Sequence, residues 1–270
     1  MNSIPGERET KSSMARRETL TFRRFKQAGS SHLDYRLTAI ALAPVLVAQG
    51  LSVRRKALRM PEPPGPRSGT VGDGEPLSLL IAGDSAAAGV GAPSQAEGLS
   101  GAVTAALAER YRVSWTVKAR TGLRTGHVLA RLEAEGVTAD PPRYDVALTS
   151  LGVNDVTGGT RSHVFVAQQR RMVRLLRDRY GVRLAVLTGL PPMHVFPALP
   201  QPLRAVLGAR AMAFTRLLET VAAAEPGCEV LSPDLPLELA YIAEDGFHPG
   251  PPAYAKWGRE AADLIVRRLG

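Results

Sequence analysis

The sequence predicts an α/β protein in which a five-stranded parallel sheet lies between two layers of helices. Apolar stretches of strand length alternate along the chain with longer segments whose apolar residues recur at helical spacing. Most of the strand-like stretches are nearly continuous in apolar residues, which is typical of strands buried on both faces. Strands joined through helices pair in parallel, and the helices then cover both faces of the sheet. Such a three-layer fold carries its site at the carboxyl edge of the sheet.

Five segments have the length and composition of strands. In chain order they are residues 77–83, 113–119, 144–152, 182–189 and 229–231. The first, third and fourth are apolar runs that end in a glycine, the second alternates apolar and polar residues, and the fifth is short. Pro191 and Pro192 follow the fourth segment and force a loop there, because proline has no N–H to donate to a ladder.

Five further segments are typical of helices. They are residues 95–110, 125–135, 164–180, 203–224 and 253–269. The first is rich in alanine, and the third has apolar side chains at helical spacing. In the last, one face collects Trp257, Ala261, Leu264 and Ile265.

Composition limits the class of protein. The chain has 270 residues, of which 44% are hydrophobic, so it suits one sizeable domain with extra segments or two small domains. Its single cysteine, Cys228, excludes an intrachain disulfide framework and argues against a zinc site built from cysteines. We interpret Cys228 as a small buried apolar residue. His127, His163 and His194 have no partners at metal-ligand spacing, so no metal site is predicted.

The positive charge is concentrated near the N-terminus. The net charge is +9; residues 1–72 hold 13 Lys/Arg and 5 Asp/Glu, whereas residues 73–270 hold 21 and 20. A basic segment beside an apolar run favours an anionic membrane surface as partner over a sequence-reading nucleic-acid module. The sequence also has neither the Cys/His spacing of a finger nor an aromatic-rich RNA-binding strand, so we predict no nucleic-acid partner.

The first 74 residues are predicted to be an extension of a folded domain at 75–270. Residues 1–31 are polar and predicted to be disordered, and residues 61–74, rich in proline and glycine, are predicted to be a linker. Between them, the apolar residues 37–53 follow Arg36 and precede a basic cluster, residues 54–59. A spanning helix, a cleaved signal peptide and a helix lying on the membrane or on its own domain all remain open. The basic cluster disfavours export, so a cytoplasmic or membrane-associated location is expected over a secreted one.

Four loops should meet at the carboxyl edge of the predicted sheet. Ser85 follows the first strand, and residues 120–125, 152–155 and 244–249 form the other three loops. A serine needs a base within hydrogen-bond reach to become a nucleophile, and the base needs an orienting partner. His248 can be the base, and Asp245, three residues earlier, can hold its imidazole. A serine in a strand-to-helix turn can also simply cap the helix.

Attack on an ester carbonyl also requires donors for the oxyanion that forms. Suitable donors are the backbone N–H groups of Ser85 and Gly122 and the side-chain amide of Asn154. Asp84 is expected to stabilise its turn by hydrogen bonding, and Asp155 to support the loop that carries Asn154.

Four sequence blocks together resemble those of the SGNH, or GDSL-type, hydrolases. They are Gly83-Asp84-Ser85, Gly122, Gly152-Val-Asn154-Asp155 and Asp245-Gly-Phe-His248, and the resemblance covers residues 77–268. It implies a flavodoxin-like fold, a Ser-His-Asp hydrolase acting on esters or thioesters, and the roles just given for Ser85, Gly122, Asn154, Asp245 and His248. Two departures stand out. Ala86 replaces the frequent leucine, and residues 118–121 lack the usual lead-in to the block with Gly122.

The resulting prediction is a cofactor-independent serine esterase for short to medium acyl chains, with an acyl-enzyme intermediate. A lysophospholipase, a thioesterase or a carbohydrate O-acetylesterase would use the same residues. A membrane-associated binding protein on an inactive hydrolase fold is the alternative from another class. Residues 193–199, in the loop after the fourth strand, could line an acyl pocket or belong to the core.

Overall fold

A computed structural model describes residues 34–137, 140–236 and 238–270. Within them, one sheet contains β1 (Ser68–Val71), β2 (Glu75–Gly83), β3 (Tyr111–Ala119), β4 (Val146–Ser150), β5 (Leu184–Thr188) and β6 (Cys228–Leu231). The strand order is β1-β3-β2-β4-β5-β6; β1 is antiparallel to β3 and all the other pairs are parallel. The five predicted parallel strands are therefore present, in a doubly wound order that changes direction between β2 and β4.

The predicted number of strands was wrong by one. The additional strand is β1. It lies in the segment rich in proline and glycine that was expected to be a linker, and it pairs with residues 113–116 of β3. All four residues of β1 are exposed. The composition of this segment excludes a central strand, but an edge strand needs backbone pairing on one side only and little side-chain burial.

The described residues contain the five helices predicted from residue 95 onward, two helices over the apolar segment 37–53, and a short helix where a loop was predicted. They are α1 (Asp34–Ala41), α2 (Ala43–Lys56), α3 (Leu99–Leu107), α4 (Thr125–Gly136), α5 (Val153–Thr157), α6 (Ser162–Tyr180), α7 (Leu203–Ala224) and α8 (Pro251–Leu269). The predictions for the helices from residue 95 onward correspond to α3, α4, α6, α7 and α8. Short 3₁₀ turns occur at Met193–Val195 and Leu239–Tyr241.

The apolar segment 37–53 forms parts of two helices. Helix α1 and the elements from α2 onward belong to two separate units of the structure, with the division between Ala41 and Leu42. Pro44 lies in the first turn of α2, where a missing N–H costs no hydrogen bond. Along the described part of the chain, no helix has both the length and the hydropathy needed to cross a bilayer. The predicted disorder of residues 1–31 concerns residues outside the described ranges.

Two cores lie on opposite faces of the sheet, because alternate side chains of each strand point to opposite sides. From β2, Leu80 and Ala82 pack with residues of α4, α6 and α7, whereas Leu79 and Ile81 pack with residues of α3 and α8. This arrangement confirms the predicted α/β class with helices on both faces. Cys228 is buried in the first core, as predicted. Burial raises the pKa of its thiol to about 12, so the thiol stays neutral.

The register of the central strands positions the candidate site. Gly83 at the end of β2 pairs with Ala119 at the end of β3 and with Ser150 at the end of β4. The three strands therefore end at the same level, and the chain segments that follow them begin side by side at one edge of the sheet.

Candidate active site

Ser85 lies in a tight turn after β2. At Gly83, which ends the strand, an added Cβ would lie 2.2 Å from the carbonyl oxygen of Ser150, so only glycine fits there. The turn is closed by hydrogen bonds from the N–H of Ala88 to the Asp84 carbonyl (3.0 Å) and from the N–H of Val90 to the Ser85 carbonyl (3.0 Å). No helix begins at this turn: turns and bends continue to residue 98, and the next helix, α3, starts at Leu99. Ser85 is thus held by a turn and does not cap a helix.

The structure brings Ser85, His248 and Asp245 into one chain of contacts. The Nε2 atom of His248 lies 2.9 Å from the Oγ atom of Ser85, and its Nδ1 atom lies 2.5 Å from Oδ2 of Asp245. The Asp245 side chain is 4% exposed and the His248 side chain 18%. The serine and the histidine come from opposite ends of the domain sequence. The side chains of Ser85 and Asp245 each lie within hydrogen-bond reach of one of the two ring nitrogens of His248.

The loop before α8 holds Asp245 as a carboxylate. Its Oδ1 accepts the backbone N–H groups of Phe247 and His248, each at 3.0 Å, and its Oδ2 faces the imidazole. Burial raises the pKa of Asp245, but the hydrogen bonds from His248 and from the two N–H groups outweigh burial and lower the pKa below the ordinary value of 3.8. The carboxylate can therefore orient His248 and stabilise its protonated form.

Asn154 connects three of the converging loops. It lies in the short helix α5, where the sequence predicted only a loop. Its Nδ2 donates to Oδ2 of Asp84 (3.3 Å) in the Ser85 turn and to the carbonyl of Leu123 (3.0 Å), the residue after Gly122. The amide of Asn154 is therefore placed between the Ser85 turn and the Gly122 loop, where the sequence analysis put the oxyanion donors.

Gly122 lies in an exposed turn with a φ of +81°, which favours glycine, and nothing lies within 4 Å of the Cβ it lacks. Among the described residues, neither its N–H nor that of Ser85 has a hydrogen-bond acceptor. Both groups are thus available to a ligand. The structure brings the Gly122 loop to Asn154 through Leu123, whereas the position of the N–H relative to a substrate oxygen stays a prediction.

Glu62 supports the Gly122 loop, and the sequence analysis missed it. Its Oε1 accepts both the backbone N–H (2.7 Å) and the hydroxyl (2.9 Å) of Thr121, and its Oε2 accepts Arg67 at 2.8 Å. Burial raises the pKa of Glu62, but the hydrogen bonds from these donors outweigh burial and lower the pKa below its ordinary value of 4.5. No local pattern could have indicated this contact, because 59 residues separate Glu62 from Thr121.

Asp155 is fully buried and joins α5 to the start of α4. Its Oδ2 accepts the backbone N–H (3.0 Å) and the hydroxyl (2.8 Å) of Thr125, and Gln169 of α6 donates to the same hydroxyl at 3.3 Å. The network ties the segment that carries Asn154 to the segment that follows Gly122, which is a supporting position of the kind the sequence analysis expected for Asp155.

The loop after β5 is core and supports the His248 loop. Met193, Phe196 and Leu199 are each less than 8% exposed, which decides between the two interpretations left open for residues 193–199. The ring of Phe196 lies 5.0 Å from that of Phe247, which in turn lies 5.6 Å edge-on from the imidazole of His248. Phe196 thus packs behind Phe247, which contacts the imidazole.

Asp84 is a buried acid beside the candidate oxyanion donor. Its Oδ1 accepts the N–H of Ala86 at 3.2 Å, and its Oδ2 faces Asn154. Burial raises the pKa of Asp84 from 3.8 to about 7; the Ala86 N–H and the charge of His248 oppose this rise, and Asp155 adds to it. Near neutral pH this carboxyl is therefore present in both its protonated and its ionised form, although both groups that face it are hydrogen-bond donors.

Replacing Asp84 by asparagine should flatten the pH dependence of the unfolding free energy. A carboxyl whose pKa is raised in the fold stabilises the protein most below its unfolded pKa, and this contribution is lost as the pH rises through about 7. The loss is at most about 4 kcal/mol. Urea unfolding at about pH 5 and about pH 8 should capture about 3 kcal/mol of this loss, because part of it occurs between pH 3.8 and pH 5. The exposed Asp263→Asn is the matched control. Equal pH slopes in wild type and Asp84→Asn would show that Asp84 is ionised throughout this range.

Among the described residues, no group of three or more His, Cys, Asp and Glu side chains is placed to hold a metal ion.

The doubly wound sheet and the residues gathered at its edge define the class of SGNH-type hydrolases. Residues 81–256 match the model of the GDSL-like Lipase/Acylhydrolase family. This chain belongs to that family.

Individual relatives agree with this assignment. The chain is 33% identical over 202 residues to the GDSL-like esterase Rv1075c of Mycobacterium tuberculosis, an alignment that covers 72% of this chain and 62% of that protein. The fold of this chain is similar to the crystal structure of TesA, with a TM-score of 0.55 and 22% identity over 71% of this chain and 99% of that one. It is also similar to the psychrotrophic esterase EstA from Pseudoalteromonas sp. (TM-score 0.52, 21% identity, 71% and 98%).

Proposed function

We propose that this protein hydrolyses carboxylic esters through an acyl-enzyme intermediate on Ser85. The observation that carries the proposal is the unbroken chain of contacts from Ser85 Oγ through the imidazole of His248 to Asp245. Nucleophilic catalysis by a serine requires a base in contact with the hydroxyl and a carboxylate that orients the base, and this chain of contacts supports those roles for the three residues. Membership of an esterase family supports the same reaction.

In the first half-reaction, Ser85 Oγ forms a bond to the ester carbonyl carbon while its proton passes to Nε2 of His248. The carbonyl oxygen becomes an oxyanion that the N–H groups of Ser85 and Gly122 are proposed to stabilise. The amide of Asn154 is proposed to join them by exchanging its bond to Asp84 or to Leu123 for one to the oxyanion. Collapse of this intermediate breaks the bond to the alcohol oxygen, which takes the proton from His248. Asp245 remains ionised throughout and stabilises the imidazolium.

In the second half-reaction, water replaces the alcohol. His248 removes a proton from a water molecule as that water attacks the acyl carbon. The second oxyanion then collapses, the bond from the acyl carbon to Ser85 Oγ breaks, and His248 returns its proton to Oγ as the acid leaves. The reaction requires no cofactor. Short to medium acyl chains are the proposed substrates, because the loops around Ser85 are short and the apolar residues at 193–199 are used in the core. Thioesters, lysophospholipids and O-acetylated carbohydrates could react at the same site.

The alternative is a binding protein on an inactive hydrolase fold, and such a protein should have lost at least one of the residues of this site. The contacts of Ser85, His248, Asp245 and Asn154 favour an active enzyme.

A p-nitrophenyl alkylphosphonate should modify Ser85 with release of one equivalent of p-nitrophenolate, because the phosphonyl group resembles the tetrahedral intermediate and cannot be hydrolysed onward. EstA from Pseudoalteromonas sp. is described as inhibited by monoethylphosphonate. Intact-mass and peptide analysis should show a single adduct on Ser85 in the wild type and in the control Ser94→Ala, and none in Ser85→Ala. Turnover of p-nitrophenyl acetate without any such adduct would place the nucleophile elsewhere. If neither acetate nor longer p-nitrophenyl esters nor thioesters react, the binding-protein alternative replaces the proposal.

A further inference from the structure

Helix α2 is fixed on the domain by one of its faces. Leu46 and Val53 pack against the core that contains α7. Between them, the side chain of Gln49 donates to the carbonyl of Gln201 (2.7 Å) and accepts the N–H of Leu203 (3.1 Å), the first residue of α7. Two apolar contacts and two directional hydrogen bonds therefore set the rotation of α2 about its axis.

The opposite face of α2 is apolar and exposed. Val47 is 61% exposed and Leu51 49%, and Pro44 and Ala48 are exposed beside them. These four residues follow the spacing i, i+3, i+4, i+7, which places them in one stripe along the helix. Since the inward contacts fix the rotation of α2, the stripe cannot be buried by rolling the helix against the domain.

The stripe leads into a basic end. Arg54, Arg55 and Lys56 form the last turn of α2 and Arg59 follows it, and all four are exposed. Residues 43–60 contain no acidic residue, and no salt bridge to these four side chains occurs within the described ranges. At the C-terminus of a helix such charges also complement the helix dipole, but four of them next to an apolar stripe exceed that requirement.

We infer that α2 docks this domain on an anionic phospholipid surface, with the stripe in the headgroup–acyl boundary and the basic end over the lipid phosphates. An apolar stripe joined to lysine and arginine is the composition of interfacial helices. A second copy packed stripe to stripe would offer the basic end no acidic partner, because residues 43–60 contain none. A nucleic acid would leave Val47 and Leu51 without a partner. An anionic phospholipid surface offers a partner to both features: acyl chains for the apolar stripe and phosphates for the basic end.

The first test reports on the stripe itself. Leu51→Cys in the full chain is labelled with an environment-sensitive fluorophore, and Met212→Cys, exposed on α7, is the matched control; Cys228 is buried. With vesicles of phosphatidylcholine and phosphatidylglycerol, the label at 51 should shift to the blue and brighten severalfold, whereas the label at 212 should not. Vesicles of phosphatidylcholine alone should change neither label.

The second test reports on the basic end. The triple variant Arg54→Glu, Arg55→Glu, Lys56→Glu should bind the anionic vesicles on the order of 100-fold more weakly. A control with the same net charge, Arg112→Glu, Arg259→Glu, Arg267→Glu, should bind within a few-fold of the wild type.

Three results would overturn the inference. If the protein sediments with anionic vesicles while the label at 51 stays unchanged, the basic residues N-terminal to α2 alone bind the membrane. A change of the label at 51 that follows protein concentration without vesicles assigns the stripe to a second copy. Equal weakening by the two triple variants would show that only net charge matters.

Discussion

Replacing Ser85 with alanine should lower kcat/KM for short p-nitrophenyl esters by about 10⁶-fold. Alanine lacks the oxygen that would form the acyl-enzyme. A water molecule without a preorganised position is then the only nucleophile that His248 can activate. Ser85 lies 2.9 Å from the imidazole and is held by the turn after β2, so the substitution removes a hydroxyl without disturbing a helix or a core. Initial rates across an acetate-to-palmitate series measure the effect and the chain-length preference together.

A loss of activity through misfolding has to be separated from a loss of chemistry. Ser94→Ala makes the same substitution in the same connection between β2 and α3, at a serine whose hydroxyl bonds only to Glu97 among the described residues. It should keep wild-type kinetics, and both variants should unfold at the wild-type midpoint. Ser85→Ala with kinetics close to those of the wild type would exclude Ser85 as the nucleophile.

Asp245→Asn should lower kcat by about 10⁴-fold, because the imidazole of His248 would adopt the wrong tautomer. The Oδ1 atom of Asp245 accepts the N–H groups of Phe247 and His248, so the amide oxygen of asparagine would take that position. The amide nitrogen would then face Nδ1 of His248 and require it to accept. The proton of the neutral imidazole would move to Nε2, which faces Ser85 and could no longer act as the base.

The same substitution should change the response to acid. Asp245 has a pKa below its ordinary value of 3.8, so its contribution to stability is complete above that value and is lost as the pH falls below it. Urea unfolding should therefore depend less on pH in Asp245→Asn below about pH 4, and Asp263→Asn should match the wild type in both assays. A less than tenfold change in kcat would mean that another group sets the tautomer of His248.

Local sequence patterns determined the class of fold and the edge of the sheet that carries the site. Apolar runs that end in glycine identified β2, β4 and β5 because burial on both faces favours apolar side chains along most of such a strand. The order of the residues around Ser85, Asn154, Asp245 and His248 placed the candidate catalytic groups in loops after parallel strands. Since parallel strands end at one edge, the pattern alone predicted that these loops converge.

The tertiary structure decided everything that depends on pairing across the sequence. Strand β1 exists because β3 offers an edge, and Glu62 supports the Gly122 loop because β1 brings its segment alongside. Met193, Phe196 and Leu199 are buried because their loop packs into the core. The outward face of α2 is set by the contact of Gln49 with the start of α7. The contact between Asp84 and Asn154 joins residues 70 positions apart. Local periodicity shows that a side chain should be buried or exposed, but the partner of a side chain is chosen only when distant segments pack together.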